Sequence, residues 1–339
     1  MQKIKNKIIV EGFWNMGKST LIQNLNEKKE YLIIKEPDHI KSCVPGNINI
    51  DQWYINQHLY NQKRFFRDDK EKIITERSIL DGGAFAYIKN KKKREIERLL
   101  LNFLKNYKKT KPLVVFLTAS TAVIRKRSTR IRSRDVNDEK IKKLLKKDDF
   151  IIKYEKFFRE VLPFWYGITP LFINIGYKKL KSQEQIKNNV ILALKNDRIA
   201  QINIVCYKFT LKGNPLFLIL KRNKKKGGFW QTLSGGIKSS QTIEEAIKME
   251  IKEELNLKIK KESLLQTNYT FHYIGTKGYE LNEYVFGYKL DNSDKIRLSK
   301  EHTEYRFVGL NEAIRLVKYQ NNKILLKKVY NIIKERATG

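Results

Sequence analysis

Short apolar runs alternate with amphipathic stretches over the first part of the chain. Lys7 to Val10 is a β-branched run that predicts a strand, followed after Gly12 and Gly17 by a helix start from Thr20 to Leu25. Tyr31 to Ile34, Lys72 to Thr75, Leu113 to Leu117 and Pro170 to Ile173 predict further strands. Trp53 to Phe66, Lys93 to Tyr107, Asp148 to Val161 and a last stretch ending at Leu194 predict helices between them. Continuous apolar strands alternating with helices imply a parallel sheet covered on both faces. From Gln201 the pattern changes. Ile202 to Leu211, Leu216 to Lys221, Asn268 to Tyr273 and Tyr284 to Leu290 predict strands joined by turns, with helices at Ile243 to Leu255 and Lys323 to Lys334. That is a mixed α+β pattern, and the polar joint Asn196-Asp197-Arg198 divides the chain into residues 1–196 and 199–339. At 339 residues the chain is longer than a single core usually supports, which agrees with two domains.

The hydrophobic fraction of 41% suffices for packed cores, and no stretch approaches the ~18 apolar residues needed to span a bilayer. The opening Met1-Gln2-Lys3-Ile4-Lys5-Asn6-Lys7 leads into a strand too short for the apolar part of a signal peptide. A soluble, cytoplasmic protein without a membrane partner is therefore expected. Cys43 and Cys206 fall in different predicted domains without metal-ligand spacing, so reduced structural thiols are expected. A formal net charge of +34 invites a nucleic-acid partner. The lysines, however, are spread along the chain beside abundant Ile and Asn, and runs such as Lys221-Arg222-Asn223-Lys224-Lys225-Lys226 read as solvated faces or loops. Because anionic nucleotides also gain from a positive field, the charge points to small nucleotides rather than to a dedicated nucleic-acid partner.

Candidate chemistry sits at both ends. Ile8-Ile9-Val10 runs into Glu11-Gly12-Phe13-Trp14-Asn15-Met16-Gly17-Lys18-Ser19-Thr20, which fits the phosphate loop G-x4-G-K-[ST] in its strand-to-helix setting. In such a loop the backbone N–H groups cradle phosphates, Lys18 would neutralise the transferring phosphoryl group, and Ser19 or Thr20 would ligate Mg²⁺. The loop is followed by Glu36-Pro37, then Gln57 seven residues before Arg64, then Glu76-Arg77-Ser78, then the arginines Arg130, Arg132 and Arg134. This order resembles the deoxynucleoside kinase and thymidylate kinase superfamily, the deoxynucleoside kinases most closely, over about residues 1–196. The resemblance implies ATP as donor, held by Gly12, Asn15, Met16, Gly17, Lys18, Ser19 and Thr20. It makes Glu36 the general base, Gln57 the reader of a nucleobase edge, Arg77 the acceptor clamp, Glu76 a neighbour of the metal, and the three arginines a lid over the donor phosphates. Arg64, with other nearby cations, would also suit a monophosphate acceptor. Read from the residues alone, Glu36 could also be a surface acid, Gln57 an exposed helical side chain, and the arginines a solvated basic helix. Trp14 and Asn15 stand where such loops usually have small residues.

Past the middle, Trp230-Gln231-Thr232-Leu233-Ser234-Gly235-Gly236 leads to Met249-Glu250-Ile251-Lys252-Glu253-Glu254-Leu255-Asn256-Leu257. Glu250, Glu253 and Glu254 are three and four residues apart, which predicts one shared helical face whose repulsion a divalent cation would relieve. The segment resembles the Nudix box, G-x5-E-x7-R-E-U-x-E-E-x-G-U with U aliphatic, over about residues 200–339. The resemblance implies Mg²⁺ or Mn²⁺ on these three glutamates, with Glu253 and Glu254 catalytic. It departs from the pattern in placing Met249 at the arginine that orients a catalytic glutamate, Gln241 at the first glutamate and Asn256 at the second glycine. Glu301-His302-Thr303-Glu304-Tyr305-Arg306-Phe307 resembles the late segment of the branch that hydrolyses dATP and dihydroneopterin triphosphate. Glu301 or Glu304 could add a late carboxylate, whereas His272 and His302 are isolated and are expected in core or surface roles.

The expected fold class is thus α/β, a parallel-sheet P-loop kinase domain followed by an α+β Nudix domain. The expected function is phosphorylation of a (deoxy)nucleoside by ATP together with hydrolysis of a nucleoside triphosphate to monophosphate and pyrophosphate. The alternative is a monophosphate kinase of the thymidylate type with a degenerate, nucleotide-sensing Nudix domain. Partners are small-molecule nucleosides and nucleotides, with room left for a homodimer.

Overall fold

The computed structural model describes residues 6–38, 40–42, 49–67, 71–131, 134, 136–176, 182–196, 198–275 and 280–338. Cys43, Arg132 and Asp197 lie outside the described residues. Two compact units are present, Met1–Ile199 with Tyr273–Leu281, and Ala200–His272 with Asn282–Gly339.

The first unit is built on five strands, β1 (Lys7–Gly12), β2 (Leu32–Ile34), β3 (Ile73–Glu76), β4 (Leu113–Thr118) and β5 (Leu171–Asn174). They lie in the order β2-β3-β1-β4-β5, every pair parallel. Ile8, Ile9 and Val10 of β1 and Leu113 to Leu117 of β4 are all buried, as continuous apolar runs must be when helices cover both faces. The helices are α1 (Lys18–Leu25), α2 (Ile50–Phe66), α3 (Ile79–Ile88), α4 (Lys93–Thr110), α5 (Thr121–Ser128), α6 (Val136–Leu145), α7 (Asp148–Lys156), α8 (Leu162–Tyr166) and α9 (Gln183–Asn196). A π-helical turn, Phe157–Val161, joins α7 to α8, so the single helix expected over Asp148 to Val161 is longer and irregular at its end.

Helices α3 and α6 are not anticipated by the apolar pattern. In α3 the cause is Gly82-Gly83, which lowers helix propensity. Packing requires that glycine: a Cβ on Gly83 would stand 2.9 Å from the Phe157 ring and 3.2 Å from Leu100. Ser78 caps the helix by accepting a hydrogen bond from the Leu80 N–H.

The second unit has β6 (Arg198–Phe209), β7 (Pro215–Arg222), β8 (Trp230–Gln231), β9 (Leu233–Lys238), β10 (Leu264–Ile274), β11 (Glu280–Lys289) and β12 (His302–Val308). β7 pairs antiparallel with β12, β6 and β8, β6 runs parallel to β11, and β9 and β10 join β6 and β11. α10 (Ile243–Leu255) carries the glutamates, and α11 (Leu310–Leu316) and α12 (Gln320–Thr338) follow. Val205, Phe217, Val285, Leu325 and Val329 are among its core. Cys206 is buried, which pushes its thiol up. No helix among the described residues is long and apolar enough to cross a membrane.

Candidate functional sites

The turn from β1 into α1 carries the residues that fit the phosphate-loop pattern. Gly12 sits at φ 133°, and a Cβ there would be 2.5 Å from the Leu117 carbonyl oxygen, so no other residue fits beside β4. Gly17 at φ 86° makes the left-handed step that opens α1. Lys18 is 5% exposed and donates from Nζ to the Phe13 carbonyl at 3.0 Å, closing the loop around its own lysine. Burial lowers the Lys18 ammonium to about 8, with the Arg77 charge adding to the effect and Glu36, Glu76 and Asp81 opposing it. The exposed Ser19 donates from Oγ to Glu76 Oε1 at 2.8 Å, which pairs two hard oxygen donors of the kind Mg²⁺ takes. Thr20 is exposed and Met16 is buried in the core, so Met16 has only its backbone to offer a ligand.

Beyond the loop, Arg77 is 1% exposed at φ 61°, a left-handed conformation uncommon for a side chain of this size and found at functional turns. Its Nε lies 2.7 Å from Glu36 Oε1, and Nη1 lies 2.9 Å from both Asp81 Oδ1 and the Tyr154 hydroxyl. The Trp14 ring lies over the guanidinium at 4.0 Å. Desolvation would lower the Arg77 pKa, but Glu36 and Asp81 outweigh it and hold the cation. Behind this pair the fully buried Glu11 accepts from Ser78 Oγ at 2.7 Å, and burial, then the Asp81 charge, pushes its carboxyl up to about 8. The structure therefore brings Lys18, Ser19, Glu76, Arg77 and Glu36 to the same end of the sheet. It adds Asp81 and Tyr154, which the motif spacing does not reveal.

The α2 and lid residues are placed differently. Gln57 is half-buried and Arg64 exposed, whereas the buried polar side chains of α2 are His58 and Gln62. These two line a small cavity with Asn61, Thr75, Arg77 and Ser78, and Gln57 is not among its lining residues. Arg130 is exposed, and Arg134 is engaged by Asp138 at 2.9 Å and by Asp38 at 3.1 Å. Arg127 also meets the turn between β1 and α1, its carbonyl accepting from Asn15 Nδ2 at 2.9 Å.

In the second unit Thr242 and Glu245 form a reciprocal capping box that starts α10. Asn256 ends it at φ 56°, taking the left-handed step that the box assigns to its second glycine. Gly235 lies beneath α10: a Cβ there would be 1.9 Å from Glu250 Oε1, so the missing side chain is what seats this carboxylate. Glu250 and Glu254 are buried and Glu253 is exposed. Glu254 Oε2 accepts from Ser299 Oγ and lies 2.8 Å from His302 Nδ1. Burial would raise the Glu254 carboxyl; the hydrogen bonds from His302 and Ser299 and the His302 and Arg222 charges outweigh it and hold it below the usual carboxylate range. Gln241 Nε2 meets Met249 Sδ at 3.3 Å, so the two departures from the box touch each other.

Late carboxylates are already engaged, Glu301 by Arg222 at 2.9 Å and by Lys226, Glu304 by Arg306 at 2.8 Å and Lys221 at 3.4 Å. His302 is buried at 7% exposure with its ring Nδ1 2.8 Å from Glu254 of α10, and His272 is exposed. The donors on α10 are right in kind for Mg²⁺ or Mn²⁺, with a glycine seat for one of them. Among the described residues, no three His, Cys, Asp or Glu side chains stand together as a finished cation centre.

Residues 200–329 match the family model of the NUDIX domain, which supports a Nudix domain over this part of the chain. A protein described as a NUDIX hydrolase from Listeria monocytogenes is similar at 28% identity, covering 40% of this chain and 95% of its own, with a TM-score of 0.36. The C. elegans Ap4A hydrolase, in a binary complex, is similar at 24% identity, covering 40% and 98%, with a TM-score of 0.34. The E. coli dihydroneopterin triphosphate pyrophosphohydrolase is similar at 22%, covering 38% and 92%, with a TM-score of 0.34. No curated protein matches the chain.

Proposed function

We propose that the protein is a bifunctional enzyme of nucleotide metabolism, transferring a phosphoryl group from ATP to a (deoxy)nucleoside in its first unit and hydrolysing a nucleoside triphosphate to monophosphate and pyrophosphate in its second. The observation that carries the first half is the Glu36–Arg77 ion pair at 2.7 Å beside a closed phosphate loop. A phosphoryl transfer needs alignment, charge neutralisation and one local proton acceptor. Lys18 supplies positive charge where phosphates would sit, Arg77 orients the acceptor, and Glu36 takes the acceptor hydroxyl proton on its carboxylate. Arg127, beside Asn15, is a better placed donor-side cation than Arg134, which two aspartates already neutralise.

For the second half the carrying observation is the Glu250 carboxylate seated on Gly235 within the matched Nudix segment. Glu250, Glu253 and Glu254 would hold Mg²⁺ or Mn²⁺, which supplies polarisation of a diphosphate and activation of water. The chain's own part is to fix these carboxylates, Glu250 on its glycine seat and Glu254 by Ser299 and His302.

A second reading, in which the Nudix domain binds nucleotide without hydrolysing it, is favoured by the neutral Gln241–Met249 contact in place of a charged pair. Incubation with ATP-Mg²⁺ and a panel of nucleosides, monophosphates and triphosphates, with the products separated, tests all of this. Nucleoside phosphorylation with pyrophosphate release is expected. Phosphorylation of monophosphates alone replaces the acceptor assignment, and triphosphate binding without pyrophosphate favours the sensor.

A further inference from the structure

Glu254 is reached from outside its own helix. The segment after β11 runs back along the end of α10, where the Arg297 and Ser299 N–H groups donate to the Leu255 and Glu254 carbonyls at 3.0 and 3.3 Å. Two carbonyls that a helix end leaves without partners are thereby satisfied, and the chain is fixed beside the carboxylate. Ser299 Oγ and His302 Nδ1 both meet Glu254 at Oε2, and among the described residues Oε1 has no hydrogen-bond partner. An ionised carboxylate only accepts, so His302 Nδ1 must carry the proton of that bond. His302 is 7% exposed and its Nε2 is buried without a partner among the described residues, so the bond to Glu254 is the compensation found for burying this ring.

We propose that His302 and Ser299 are positioning residues of the Nudix centre, which hold the Glu254 carboxylate by Oε2 and leave Oε1 as its ligating atom. They supply from a distant segment an orienting role that the box assigns to an arginine and that Met249 cannot perform. The inference rests on the proposed Nudix reading. A carboxylate on a helix has three rotatable bonds; two converging donors remove that freedom before ligand arrives, and groups of this kind commonly set metal affinity.

The test uses the full chain with His302→Leu, His302→Asn and Ser299→Ala. Mn²⁺ binding is followed by electron paramagnetic resonance, alongside triphosphate hydrolysis and thermal melting. His302→Leu should raise the half-saturating Mn²⁺ concentration by about 10- to 100-fold and lower kcat, with little change in the KM for triphosphate. His302→Asn, whose amide still donates, should recover most of both losses, and Ser299→Ala should fall between. The Asn rescue separates positioning from packing, since a merely structural role would not return Mn²⁺ affinity with one hydrogen bond. Wild-type Mn²⁺ binding and kcat in folded His302→Leu and Ser299→Ala overturn the inference; if His302→Leu does not fold, Ser299→Ala decides alone. A wild-type protein that neither binds Mn²⁺ nor hydrolyses any triphosphate overturns the Nudix reading itself, and the inference with it.

Discussion

Gly235→Ala isolates the seat of Glu250 from the stability of the fold. The added Cβ would stand 1.9 Å from Glu250 Cδ and Oε1 and 2.4 Å from Cγ, against ordinary contact from 3.4 Å, so the carboxylate must retreat by about 1.5 Å. The atoms that meet the new methyl are the far end of a flexible side chain, and Gly235 has no left-handed φ, so the backbone accepts alanine. A rotamer change costs about 0.5–1.5 kcal/mol. Replacing glycine by alanine at a compatible site returns about 0.4–1 kcal/mol by restricting the unfolded chain. The two nearly cancel, and the melting temperature should stay within a few degrees. Function should not. A misplacement of about 1 Å at a reacting centre can lower the rate by ~10²-fold, so kcat for triphosphate hydrolysis should fall by that factor or more with KM changed only a few-fold. Pyrophosphate release under saturating triphosphate, beside a melting curve, measures both. A folded Gly235→Ala protein with wild-type kcat refutes the claim that Glu250 acts from this seat.

Three further outcomes are expected. Lys18→Ala should cut phosphoryl transfer to nucleosides by orders of magnitude while triphosphate hydrolysis persists; radiolabel transfer from ATP reads the first, and an undiminished transfer rate removes Lys18 from the chemistry. Glu11, raised by burial from 4.5 to about 8, contributes stability fully present below its unfolded pKa and lost as pH rises towards about 8. Glu11→Gln should remove that decline, so the difference between wild-type and variant melting temperatures should shift in favour of the variant from pH 5 to 8, and parallel profiles contradict the assignment. Because Met249 stands where the box has an arginine that orients a catalytic glutamate, Met249→Arg should raise pyrophosphate release, and Gln241→Glu, whose site touches it at 3.3 Å, should add to the gain. Equal rates in the single and double variants would contradict the coupling.

What the sequence discloses follows the range of the interaction responsible. The glycine turn between β1 and α1, helix α10 and the apolar strands are legible because each depends on neighbours within a few residues, where periodicity and turn chemistry operate. Helix α3 is hidden for the opposite reason: Gly83 reads locally as a helix breaker, and only the distant Phe157 and Leu100 explain why nothing larger fits. Gln57 illustrates a finer limit. Motif spacing singles out Gln57 on α2, but which polar residues of that helix are buried depends on how it packs, and those are His58 and Gln62.

The candidate sites divide in the same way. Lys18, Ser19 and the glutamates of α10 stand in contiguous motifs, whereas their partners come from far along the chain: Glu76 to Ser19, Arg77 to Glu36, and Ser299 and His302 to Glu254. No periodicity links a glutamate to a histidine 48 residues later, and an isolated histidine in sequence carries no chemical signal until the fold closes. Asn256 shows that a departure from a motif can still satisfy its geometry, since asparagine tolerates the left-handed step that glycine usually takes. Met249 shows a departure that does not, and its contact with Gln241 makes it one half of a paired change. A motif position lost on α10 is therefore best judged by what now touches the glutamates it served: Met249 withdraws a charge from the box, while His302 and Ser299 bring two hydrogen bonds to it from outside.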